Sequence, residues 1–97
     1  MLLTIGAIIT GIAALGIIAR IIAYLVFAVV RRYLDRLKRR NSATKFIARY
    51  RDGDYETVSA GIWSNEQERV TEAASWKAER LDEDLSSINR GEVIFEQ

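Results

Sequence analysis

The side chains that could do chemistry in this sequence are few, and the two most versatile ones are missing. There is no histidine and no cysteine. The usual general base, the thiolate nucleophile and the commonest transition-metal ligands are therefore all absent. Ser59, Ser64, Ser75, Ser86 and Ser87 have no neighbouring base to activate them. "LDEDL" (81–85) brings three acids together, but hard-cation loops space their oxygen ligands around a turn with glycine. On a helix Asp82, Glu83 and Asp84 point in different directions, as a solvated face does. No glycine-rich phosphate loop occurs. The expectation is a chain without catalytic residues, metal, cofactor or small-molecule substrate.

What remains is one cation in an unusual place. Arg20 is the single charged residue among the first thirty, inside "GIIARIIAYLVF". About 20 apolar residues suffice to cross about 30 Å of hydrocarbon, so residues 1–30 read as a transmembrane helix. As one helix, residues 2–30 would run about 43 Å, enough to tilt or to leave the lipid at one end. Gly6, Thr10, Ala13, Gly16, Arg20 and Ala23 fall on one stripe, a helix-packing face of mostly small residues. A mid-membrane arginine costs roughly 2.5–3.5 kcal/mol and usually faces protein or water. Arg20 is thus expected against a partner helix, or snorkelling to the interface if the span ends near residue 21.

Charge is separated along the chain. Up to Arg51 there are ten basic residues and one acid, Asp35, for a net +9; from Asp52 onward twelve acids face four basic residues, for −8. Arg31, Arg32, Arg36, Lys38, Arg39 and Arg40 follow the apolar run directly, as a juxtamembrane segment that grips anionic lipid headgroups does. The order predicts an N-out, single-pass membrane protein with its C-terminal region cytoplasmic. A secretory leader would have the opposite order of charge and apolar run. Basic runs also bind nucleic acid, but an adjacent span explains this one more simply.

Three segments result: a transmembrane helix at 1–30, a basic juxtamembrane helix and linker at 31–44, and a small acidic domain at 45–97. In the last, Asp52-Gly53 lies between β-prone runs and suggests a hairpin pairing Arg49 with Glu56 and Tyr50 with Tyr55. The alternative is a helix closing at Gly53, which resembles the helix-turn-helix of tetratricopeptide units, although no 34-residue period follows. Residues 64–91 predict a long amphipathic helix: Ser64 and Gln67 suit a capping box, and Val70, Ala74, Ala78, Leu81, Leu85 and Ile88 form one apolar face. "EVIFE" (92–96) could add a strand.

The expected fold is a single-pass helix followed by a small helix-dominated α+β domain. The expected function is a non-catalytic, membrane-anchored interaction or structural subunit of a larger membrane assembly, with other membrane subunits as partners. Trp63, Trp76, Leu81, Leu85 and Ile88 are its candidate partner-binding residues. The alternatives are a structural membrane protein of a lipid-containing virus or phage, and a small oligomeric pore or lysis effector.

Overall fold

The structure, a computed structural model, describes residues 4–38 and 42–96. In chain order the elements are α1 (Ile5–Ala14), β1 (Arg20–Leu25), α2 (Phe27–Arg36), β2 (Ala43–Asp52), β3 (Tyr55–Ser64), β4 (Arg69–Leu81), α3 (Glu83–Ser86) and β5 (Glu92–Glu96). The strands form one sheet in the order β1-β4-β3-β2-β5, with β1 parallel to β4 and every other pair antiparallel.

The N-terminal third corrects the sequence expectation most. Residues 1–30 do not make one helix, and among the described residues no helix is long and apolar enough to cross a membrane. The expected single-pass, N-out placement therefore has no element to carry it. Gly16 is the physical reason for the first break. It adopts φ +68°, its N–H donates to Ala13 O at 3.0 Å, and the Ile17 N–H reaches back to Ile12 O at 3.2 Å. Those two bonds close a Schellman motif that caps α1. "RIIAYL" then follows, where isoleucine and tyrosine suit an extended backbone, and it pairs with β4 from Arg20↔Trp76 to Leu25↔Leu81.

A second break separates β1 from α2. Val26 offers no side-chain cap, so the cap comes from far along the sequence. Asp82 Oδ2 accepts from the Phe27 N–H at 2.8 Å, while Asp82 Oδ1 accepts from the Leu85 N–H at 3.0 Å and so caps α3. One carboxylate thus fixes the entry of two helices. The expected juxtamembrane helix is shorter than the sequence suggests: α2 stops at Arg36 and β2 starts at Ala43.

The helices cover opposite faces of the sheet. Ile8 and Ile12 of α1 pack against Phe46, Ala48, Trp63 and Val70. Val30 and Leu34 of α2 pack against Ile47, Val58, Ala60, Trp76 and Ala78 on the other side. At Gly11, α1 comes so close to β4 that an added Cβ would meet Val70 Cγ2 at 2.7 Å.

The long amphipathic helix expected over 64–91 is instead β4 and the short α3. β4 lies between β3 and β1 under helices on both faces, so an in–out alternation of apolar and polar residues is not required of it. That leaves a composition rich in alanine and glutamate which reads locally as helix. The bond anticipated for a helix cap does form, from the Gln67 N–H to Ser64 Oγ at 3.0 Å, but within the β3–β4 turn. The β2–β3 hairpin turns at Gly53-Asp54, one residue later than the sequence suggests, and pairs Arg51 with Glu56 and Tyr50 with Thr57. "EVIFE" forms β5 along the outer edge of β2.

Candidate anion-binding groove

Arg20 lies on β1, opposite Trp76 in the ladder. Two turns of α2 cross that face, and residues four apart on a helix share a side. Arg32 and Arg36 therefore project together. With Arg20 they line a groove of about 300 Å³ between α2 and the sheet, whose walls include Val29, Tyr33 and Trp76.

Three arginines lining one groove concentrate positive charge along it, and like charges repel. Among the described residues none of Arg20, Arg32 and Arg36 forms a salt bridge. The acid carried by α2, Asp35, pairs with Arg31 at 3.6 Å instead. The aromatic wall is fixed: the Tyr33 and Trp76 rings meet edge to face at 5.7 Å and 78°, and Trp76 is almost fully buried. Burial, reinforced by the charge of Glu72, pushes the Tyr33 hydroxyl above its ordinary pKa. Guanidinium forks and a phenol are the donors that match a carboxylate or phosphate.

A second cleft, about 440 Å³, lies between Lys38, Arg69, Glu66 and Glu72. Its charges are mixed in sign and it has no comparable demand for a ligand.

The remaining candidates distribute as follows. Gly6, Thr10 and Ala13 lie on the exposed side of α1, away from Ile8 and Ile12. Gly16 terminates that helix, and Arg20 and Ala23 sit on β1. The expected helix-packing stripe is therefore divided among a helix, a turn and a strand. Of the expected headgroup set, Arg31, Arg32 and Arg36 belong to α2 and Lys38 follows it, while Arg39 and Arg40 lie outside the described residues. Trp63, Trp76, Leu85 and Ile88 are buried and Leu81 is half-buried against the core. They hold the chain's own interior together.

Two residues have roles that the sequence did not reveal in full. Arg49 donates from Nη1 to Ser86 O at 2.9 Å and Ile88 O at 2.7 Å, tying β2 to the segment before β5. Its Nε reaches Glu56 Oε2 at 3.4 Å, and Glu56 also accepts from Arg90. Tyr33 was the unmarked member of the groove. The sequence signal for that groove was present, as two arginines four apart beside a tyrosine.

Comparisons with protein-family models, with curated proteins and with solved structures find no match to this chain.

Proposed function

We propose that the chain is a non-catalytic interaction module that seats an anionic group of a protein partner in the groove formed by Arg20, Arg32 and Arg36. The observation that supports this most directly is the convergence of three arginines, none salt-bridged among the described residues, on one small volume with a tyrosine donor beside it. A carboxylate or phosphate there would relieve their mutual repulsion and accept several charge-assisted hydrogen bonds. The basic segment that the sequence assigned to lipid headgroups is thereby read as part of a discrete, shaped site.

Trp76 provides the readout, in a Trp63→Phe background so that one indole reports. Titration with a blocked tetraglutamate peptide, and separately with inorganic phosphate, is expected to give saturable fluorescence changes that weaken as salt is added. Arg32→Ala/Arg36→Ala should abolish them. A wild-type response that does not saturate, or one the double variant retains, would overturn the reading.

A further inference from the structure

Both outer strands of the sheet are unguarded. Edge strands usually carry lysine, proline or a bulge to discourage pairing with another chain. β1 instead presents Ile21 at 70% exposure with Ile22 and Tyr24 also exposed, and β5 presents Phe95 at 51%. Among the described residues neither edge has a strand beyond it.

The two edges match. Following the ladder from Trp76 and Ile47, which share the α2 face, Arg20, Ile22 and Tyr24 of β1 lie on the same face as Glu92 and Ile94 of β5. Ile21 and Ala23 lie on the α1 face, as do Val93 and Phe95. β1 runs with β4, and β5 runs against β2 and hence against β1. A second copy, its sheet continuing the first, therefore offers β5 antiparallel to β1 with the faces in agreement.

From this we infer that the chain assembles head to tail, β1 of one copy pairing with β5 of the next. The register is Ile21 opposite Phe95, Ile22 opposite Ile94, Ala23 opposite Val93 and Tyr24 opposite Glu92. An antiparallel ladder that keeps the faces aligned can slip only by steps of two. A step one way puts Glu92 opposite Ile22, and a step the other way carries Ile21 and Ile22 past Phe95, the last apolar residue of β5. The matched register pairs apolar with apolar, which is favourable across strands. The interface is heterologous, so growth is open-ended, and sheet twist of roughly 20–25° per strand makes the product helical. This inference goes beyond the groove, with which it shares Arg20.

The test is sedimentation velocity over a concentration series with Ile21→Lys and Phe95→Lys, two exposed positions, the fold of each variant being checked by circular dichroism. Wild type is expected to form species beyond dimer as concentration rises. Each variant alone should be monomeric, because each has lost one of the two edges. Mixed in equal amounts, they should form a one-to-one heterodimer and stop there, since one intact β1 then meets one intact β5. A Phe95→Lys variant that dimerises alone would overturn the inference in favour of symmetric β1 pairing. A wild type that stays monomeric at millimolar concentration would overturn it outright. Arg32→Ala/Arg36→Ala should leave assembly unchanged while removing anion binding, which separates failure here from failure of the groove.

Discussion

Glu56 has the most consequential environment of any single residue. Its side chain is 12% exposed and lies within salt-bridge distance of Arg49, Arg51 and Arg90. Burial pushes its carboxyl up, but hydrogen bonds and charge from Arg90 and Arg49 outweigh that and hold it below the ordinary range. A native-state pKa depressed below the unfolded one contributes stability above the ordinary glutamate range, and that stability is lost as pH falls through the depressed value. Glu56→Gln should therefore destabilise the fold near neutral pH by about 1.5–3 kcal/mol, the range for a hydrogen bond to a charged group. It should also flatten the acid limb of stability against pH. Urea melts at neutral and acidic pH check both, and an unchanged acid limb would show that other carboxylates dominate it. This network was partly legible: a hairpin turning at Asp52-Gly53 set Arg49 opposite Glu56. The register is shifted so that Arg51 stands there, but Arg49 and Glu56 still meet at 3.4 Å. The sequence did not reveal Arg90, which reaches Glu56 from 34 positions away.

At the scale of elements, α2 depends for its first turn on a residue from far along the chain. Asp82 accepts from the first turn of both α2 and α3, and its own N–H donates to Leu25 O at 3.0 Å. Losing one side-chain cap costs about 0.5–2 kcal/mol. Asp82→Ala removes two, so a loss of about 1–4 kcal/mol is expected by thermal or denaturant melting, and Asp82→Asn should restore part of it. A near-neutral Asp82→Ala would mean that water replaces the carboxylate at both ends. These elements were hard to read because the chain's apolar runs lack the usual punctuation. Gly16 stops α1 without a proline nearby, and α2 begins at Val26-Phe27 with no polar cap of its own. β4 is hard to read for a different reason: Ala73, Ala74 and Ala78 suit a helix locally, and only their place between two strands makes them a strand. The hairpin was visible because Asp-Gly carries its own conformational preference.

In the whole molecule, the N-terminal third completes the sheet that the remainder begins, so the two should melt together. Trp63 reports on the α1 face and Trp76 on the α2 face. With Trp63→Phe and Trp76→Phe as single-reporter variants, each is expected to show one transition, coincident with loss of far-ultraviolet ellipticity in the same variant. Gly11→Val, which drives a side chain into buried Val70, should lower both reporters' midpoints when added to each variant. A Trp76 transition that ignored the Gly11 change would show that α1 is an independent appendage. The groove was legible only as scattered parts. Arg20, Arg32, Arg36 and Trp76 each drew attention, but for lipid, helix packing or partner contact. What joins them is the parallel placement of β1 beside β4, which no local pattern encodes.

That placement has an outcome in time. Arg20 meets Trp76 across 56 positions of chain, so during synthesis β1 leaves the ribosome well before β4, the strand it pairs with. Throughout that interval the backbone of β1 has no strand to pair with. Closing this side of the sheet waits on a contact distant in sequence, the kind that forms slowly.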